Sequence, residues 1–130
     1  THLARAAFNH IYRQRLQPVT MWTAFELLES LRKGYEQPEL LESVSAECQQ
    51  ACPLILDDLG AHRVSAWVEE MMTGIIDYRY RRELPTMFTT NLDPKGLAEH
   101  MGGRIASRVY DRNRGLIVAL TAPDYRTGKT

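Results

Sequence analysis

The segment CPLILDDLG, residues 52–60, constrains the fold more than any other part of this sequence. Pro53 to Leu56 form a short uninterrupted apolar run, which is typical of a strand buried on both faces of a parallel sheet. Two carboxylates, Asp57 and Asp58, follow this run directly. Because adjacent carboxylates at the end of a buried strand are costly without nearby positive charge, the segment predicts a site that holds a cation.

Helical and strand patterns alternate along the whole chain. The first helix is expected over HLARAAFNHIYRQRL, with Leu3, Ala6, Ala7 and Ile11 on one face. Further helices are expected after Thr23, which has Glu26 three residues later as a capping box, and after Pro38, Ser65 and Asp93, with another over GRIASRVYDR. Strands are predicted at PVTMW, PLILD, PTMFTTN and GLIVAL. This alternation predicts an α/β domain with a mainly parallel sheet.

Charge and composition exclude several classes of protein. The 16 basic and 16 acidic side chains cancel, so a nucleic-acid or membrane partner would need a local patch. No apolar run approaches the roughly 18 residues of a membrane span, and no charged-then-apolar leader is present, so we expect a cytoplasmic protein without a membrane partner. Cys48 and Cys52 lack the further ligands that a zinc site needs, and we expect buried free thiols.

Polar side chains follow the predicted strands at their carboxyl ends, where ligands of open α/β sheets bind. They are Asp57 and Asp58 after PLIL, and Thr89, Thr90 and Asn91 after PTMF. An apolar strand that ends in two acids has the form of a Walker B motif, whose first acid holds Mg²⁺ and whose second acts on a water. The alternative is that Asp57 or Asp58 only caps the turn after the strand.

Other polar groups lie at suitable distances along the chain. Asn91 could hold an attacking water against a γ-phosphate. Arg104 and Arg108 are four residues apart on one predicted helical face, where they could neutralise phosphoryl charge or form a solvated surface. A basic and aromatic group at the end of a helix could bind single-stranded DNA or could only interact with the helix dipole; it comprises Tyr78, Arg79, Tyr80, Arg81 and Arg82.

Several segments, taken in order, resemble one family over nearly the whole chain. THLARAAFN, FELLESLRKGY, LILDDLG, IIDYRYRRELPTMFTTNL, GGRIASRVYDR and TAPDYR are similar to AAA+ ATPases of the DnaC and DnaI helicase-loader type, with the IstB transposition helpers as relatives. The resemblance implies a P-loop NTPase core with ATP and Mg²⁺ as cofactors. It implies that Asp57 binds the metal, that Asp58 is catalytic, and that Asn91 is the sensor. Arg108 would be the arginine finger that completes a neighbouring site in a homo-oligomer, while Arg104 has a less certain nucleotide-binding role.

The family pattern also places a strand and a G-x-x-x-x-G-K-[ST] loop directly before HLA. Thr1 resembles the last residue of that loop, which implies that its hydroxyl binds the nucleotide-bound Mg²⁺. We therefore expect residues 1–130 to be a partial AAA+ core domain, without the central first strand and the phosphate loop. The terminal RTGKT is expected to be a tail, because Pro123 stands where the loop needs its first glycine; a rearranged chain is the alternative.

The sequence predicts an ATP-dependent helper of DNA replication that binds single-stranded DNA and a replicative helicase. One alternative is an IstB-like helper of a transposase. Another is a scaffold with a degenerate nucleotide site that does not hydrolyse ATP. A chromosomal-initiator ATPase is disfavoured, because no helix-turn-helix pattern follows the core.

Overall fold

Six helices and three short strands alternate along the part of the chain that the structure describes. The computed structural model describes residues 2–14 and 19–121. In chain order the elements are α1 (His2–Gln14), β1 (Thr20–Thr23), α2 (Ala24–Gly34), α3 (Pro38–Gln50), β2 (Leu54–Asp57), α4 (Ala66–Arg81), β3 (Thr86–Phe88), α5 (Pro94–Met101) and α6 (Gly103–Val109). The predicted α/β class is therefore confirmed.

The three strands form one parallel sheet in the order β1-β2-β3. In the register, Thr23 lies opposite Asp57, and Leu56 lies between Trp22 and Phe88. All four residues of β2 are buried, as expected for a central strand with a continuous apolar run. The carboxyl ends of all three strands consequently lie at one edge of the sheet, which we call the carboxyl edge.

Local capping explains where three of the helices begin. Thr23 and Glu26 form the predicted capping box of α2. The Ser65 hydroxyl accepts the amide of Val68 at the start of α4, and the Asp93 carboxylate accepts the amide of Gly96 at the start of α5. Because each cap satisfies an amide that has no partner within its helix, these starting points could be predicted from a few neighbouring residues.

The hydrophobic core joins the sheet to the helices around it. It contains Leu27 and Leu31 of α2, Leu54 and Leu56 of β2, Met72 and Ile75 of α4, Leu97 and Met101 of α5, and Ile105 of α6. Cys48 is also fully buried, and burial raises the pKa of its thiol to about 12, whereas Cys52 is half-buried. No described helix has the length and hydropathy that a membrane span requires.

The helix predicted at the start of the chain is present as α1, in which Ala4 is buried and Leu3 is 49% exposed. The strand predicted near the end of the chain is wrong. Residues 116–120 of the predicted strand GLIVAL form no strand and are exposed, Leu116 to 90%. A strand is stabilised by pairing, and none of the described strands pairs with this segment.

Arg79 is the largest side chain that is buried among the described residues, at 2% exposure. Its guanidinium donates to the carbonyls of Cys48, Gln49, Ala51 and Pro85 at 2.7–3.2 Å and to the Thr86 hydroxyl at 2.9 Å. These bonds tie the end of α3 to the start of β3. The interpretation of Arg79 as a surface DNA contact is therefore wrong, whereas its predicted place in the last turn of a helix is confirmed.

We predict that Arg79→Met lowers the free energy of unfolding by about 3 kcal/mol, because it leaves several buried carbonyls without a donor. Arg81→Met is the matched control on the same helix, since the Arg81 side chain is 69% exposed. Urea denaturation followed by tryptophan fluorescence measures both variants. Equal midpoints for the two would contradict a structural role for Arg79.

Candidate functional site

The carboxyl edge brings together the polar residues that follow β2 and β3. Asp57 is the last residue of β2 and is fully buried, and Asp58 follows it with an exposed side chain. Thr89, Thr90 and Asn91 follow β3, which pairs with β2 in parallel. The predicted clustering of these residues is therefore present in the fold.

Thr89 connects the two acids across the sheet. Its hydroxyl donates to Oδ1 of Asp57 at 2.6 Å and accepts the backbone amide of Asp58 at 2.8 Å. The backbone of Thr89 makes hydrogen bonds on both sides of the acid pair. Its amide donates to the carbonyl of Leu56, and its carbonyl accepts the amide of Leu59. One side chain thus fixes the orientation of the Asp57 carboxylate and the course of the chain through Asp58. The sequence placed Thr89 at this edge without assigning it a role.

Asp58 turns the chain out of the strand in the left-handed region, with φ of +60°. Non-glycine residues rarely adopt this region, although aspartate tolerates it better than most. The turn leaves Asp57 buried and exposes the Asp58 side chain. Both acids line a cavity of about 210 Å³. Its other walls include Thr23 and Phe25 at the start of α2 and His62 of the loop after the acids. The acids therefore differ in their access to solvent.

The loop after the acids is held by contacts with α5. The His100 Nδ1 lies 2.7 Å from the carbonyl oxygen of Gly60, and it must carry the proton because a carbonyl only accepts. Gly60 has φ of +84°, and a Cβ there would lie 2.8 Å from Leu92 and Leu97. A larger residue at position 60 would therefore disturb the packing directly behind the acid pair.

The donor set at this edge is too small to coordinate a metal ion through protein side chains alone. It suits Mg²⁺, which needs only one or two protein carboxylates. Within the described ranges, no group of three or more His, Cys, Asp or Glu side chains could hold a metal ion. Mg²⁺ commonly binds one or two carboxylates and completes its shell with waters and substrate phosphates. Asp57 and Asp58 supply such carboxylate oxygens, and Asn91 adds an exposed amide at the same edge. Thr1, the further predicted ligand, lies outside the described residues.

Arg104 and Arg108 lie on one face of α6, as the sequence predicts, and both contact Asp77 of α4. Arg108 Nε donates to Asp77 Oδ1 at 3.0 Å, and Arg104 Nη2 lies 3.4 Å from Oδ2. Arg81 Nη2 lies 3.5 Å from the same Oδ2. The hydrogen bond from Arg108, followed by the charges of Arg81 and Arg104, lowers the pKa of Asp77. Asp77 carries no sequence signal of its own, because its partners Arg104 and Arg108 lie about 30 residues later in the chain.

The arginine cluster does not line the cavity at the acid pair: among the described residues, that lining comes from residues 23–28 and 57–62. Helix α4 leaves the carboxyl edge at Ser65 and returns toward the opposite edge, where β3 begins. Asp77 is twelve residues beyond Ser65, which corresponds to about 18 Å along the helix axis. Arg108 donates to Asp77 at this distance from the N-terminus of α4, and it does not line the cavity of its own chain.

Comparison with known proteins identifies relatives of the whole segment. The replicative helicase loader DnaI of Bacillus subtilis is 38% identical over 101 residues, which are 77% of this chain and 32% of DnaI. The phage-like element PBSX protein XkdC of the same organism is 28% identical over 130 residues, 96% of this chain and 47% of XkdC. The chain thus spans about half the length of one relative and a third of the other. No protein-family model matches the sequence.

Solved structures of similar proteins identify the fold of this chain. The crystal structure of the DnaC helicase loader superposes with a TM-score of 0.71 at 27% identity, covering 85% of this chain and 66% of that one. The initiator DnaA, solved with AMPPCP and single-stranded DNA, has a TM-score of 0.73 at 18% identity over 83% of this chain and 33% of its own. The chain therefore has the fold of the P-loop AAA+ proteins, and its predicted resemblance to the DnaC and DnaI loaders is confirmed.

Proposed function

We propose that this segment, with its AAA+ fold and its similarity to helicase loaders, is the partial core of an ATPase that helps to place a replicative helicase on single-stranded DNA. The observation that carries the proposal is the pair Asp57 and Asp58 at the carboxyl edge, one buried and fastened to Thr89, the other exposed at a cavity. Such a pair provides one carboxylate for binding a metal and one for acting on water. A helicase loader acts on DNA, so in this proposal the protein works in the cytoplasm, where the replicating DNA is.

In this proposal Asp57 would hold Mg²⁺, directly or through a water, and the Thr89 hydroxyl fixes the carboxylate of Asp57. Thr1, next to the start of α1, would add its hydroxyl to the same ion, as the serine or threonine of a phosphate loop does. When bound, Mg²⁺ neutralises charge on the phosphates of ATP. Asp58 would accept a proton from, or orient, the attacking water, and Asn91 would hold that water from the neighbouring strand.

Arg108 would act on the site of a neighbouring copy. Its attachment to Asp77, about 18 Å along α4 from Ser65, and its absence from the lining of the cavity at the acid pair support a role across a subunit boundary rather than within one chain. A guanidinium neutralises phosphoryl charge and, unlike the ammonium group of a lysine, also makes bidentate hydrogen bonds with phosphate. Arg104, one turn earlier and 70% exposed, would add a second positive charge at the same interface. The proposed assembly is a homo-oligomer with head-to-tail contacts.

The proposed function predicts ATP-dependent retention of the replicative helicase on closed circles of single-stranded DNA, which offer no end for threading. The assay mixes full-length protein, helicase, circles and ATP, and measures helicase that elutes with the DNA in gel filtration. We expect retention well above that of the helicase alone, and loss of this excess without ATP. Retention equal to that of the helicase alone would contradict the helicase-loading role. Stimulated ATP hydrolysis with a transposase would then favour the transposase-helper alternative.

A further inference from the structure

Asp77 is the acceptor that three arginines share. Its side chain is 14% exposed, and it lies on α4 beneath Arg104 and Arg108 of α6. The bond from Arg108 Nε is the shortest of the three ion pairs, at 3.0 Å, and it goes to Oδ1. Arg81 and Arg104 both approach the other oxygen, at 3.5 and 3.4 Å. One carboxylate therefore gathers three guanidinium groups on one surface.

Arg108 uses only one edge of its guanidinium in this contact. Among the described residues, the Arg108 side chain makes its hydrogen bond to Asp77 through Nε, and neither Nη1 nor Nη2 makes a hydrogen bond. The side chain is 34% exposed. A guanidinium has five donors in a planar fork, so engagement of Nε leaves the terminal edge able to bind a phosphate. The contact with Asp77 thus fixes the side chain and does not consume its anion-binding edge.

Tyr80 supports the same orientation from the side. The Arg108 guanidinium carbon lies 4.7 Å from the centre of the Tyr80 ring, within the range of a cation–π contact. The Tyr80 hydroxyl donates to the Asp111 carboxylate, and Arg114 also lies over the ring at 4.6 Å. A hydrogen bond and a ring contact together restrict the guanidinium in two directions, which neither contact does alone.

We infer that Asp77 is a positioning residue that orients Arg108 so that its terminal guanidinium edge faces the nucleotide site of a neighbouring copy. This inference rests on the proposed function, which assigns Arg108 to that site. Asp77 would touch neither nucleotide nor metal, and it would act only through Arg108. The three arginines are 34–70% exposed and would remain hydrated without Asp77, so its loss should affect the orientation of Arg108 more than the folding of the domain.

We predict that Asp77→Ala in the full-length protein lowers the rate of ATP hydrolysis by about 10- to 100-fold, because a small displacement of a reacting group has an effect of this size. ATP affinity and the melting temperature should change little. Asp77→Asn should lie between this variant and the wild type, because it keeps an oxygen that accepts from Arg108 Nε. Arg81→Ala is the matched control, since it removes an exposed partner of the same carboxylate and should leave hydrolysis unchanged.

A mixture of Asp77→Ala with Asp58→Asn distinguishes positioning of Arg108 from a defect within one chain. Some interfaces in the mixture combine the intact pocket of the first variant with the correctly held Arg108 of the second. We expect hydrolysis above the average of the two separate variants. Asp77→Ala activity equal to that of Arg81→Ala, or a loss without recovery in the mixture, would overturn the inference. Normal hydrolysis by Arg108→Ala would instead show that the proposed role of Arg108 is wrong, and the inference would fall with it.

Discussion

Arg108→Ala in the full-length protein is expected to bind ATP almost normally and to hydrolyse it about 10³- to 10⁵-fold more slowly, the range found for arginine fingers. The reason is geometric: Arg108 is bound to Asp77 of α4 and does not line the cavity at the acid pair, so the pocket of its own chain remains complete. Nucleotide titration measures affinity, and phosphate release at saturating ATP measures turnover. Binding and turnover should therefore respond separately to this substitution.

Two further variants make the Arg108 result specific. Arg114→Ala removes another arginine that lies over Tyr80, but one that pairs with Glu83 instead of Asp77, and it should retain normal turnover. Arg108→Lys retains the charge and loses the planar fork, so it should remain strongly impaired. A loss of ATP affinity as large as the loss of turnover would contradict a role across the interface and would place Arg108 within its own pocket.

The second large effect is expected from Asp58→Asn, which should lower hydrolysis by about 10²- to 10⁴-fold, the usual contribution of a general base. Asp58 is exposed at the cavity, and its amide is held by Thr89, so the substitution changes the acid without changing the backbone. ATP binding in the presence of Mg²⁺ should remain close to that of the wild type. Single-turnover kinetics would locate the loss in the chemical step.

Asp57→Asn is the matched comparison, because it changes the adjacent acid in the same way. Asp57 is buried and receives the Thr89 hydroxyl, which suits a metal ligand whose orientation is fixed. This variant should weaken ATP binding in the presence of Mg²⁺ and have little effect on binding in EDTA. If both variants bound and hydrolysed ATP normally, the acid pair would be a turn cap, which is the alternative that the sequence leaves open.

The fold and the acid pair could be predicted because their signals are local. A continuous apolar run predicts a buried strand, and the capping residues Thr23, with Glu26, and Asp93 predict where helices begin within a few residues. The parallel arrangement then places every residue that follows a strand at the same edge. Asp57, Asp58 and Asn91 could therefore be brought together without knowledge of any side-chain contact.

The remaining features depend on contacts between distant parts of the chain. Thr89 meets Asp57 from 32 residues away, and Asp77 meets Arg108 from 31 residues away. The sequence pattern favours an exposed Arg79, because arginines at the end of a helix usually lie on the surface. The five acceptors that bury it come from α3, from β3 and from the adjoining loops, which the local pattern does not reveal. The segment 116–120 has the composition of a strand, but composition does not supply a partner.

Mixing Arg108→Ala with Asp58→Asn tests most directly whether the nucleotide site is shared between copies of the chain. Each variant alone should be nearly inactive. With random association at equal amounts, about a quarter of head-to-tail interfaces combine an intact Asp58 pocket with an intact Arg108, so turnover should recover to about a quarter of the wild-type value. Mixtures that co-assemble in gel filtration and remain as inactive as the separate variants would contradict a shared site.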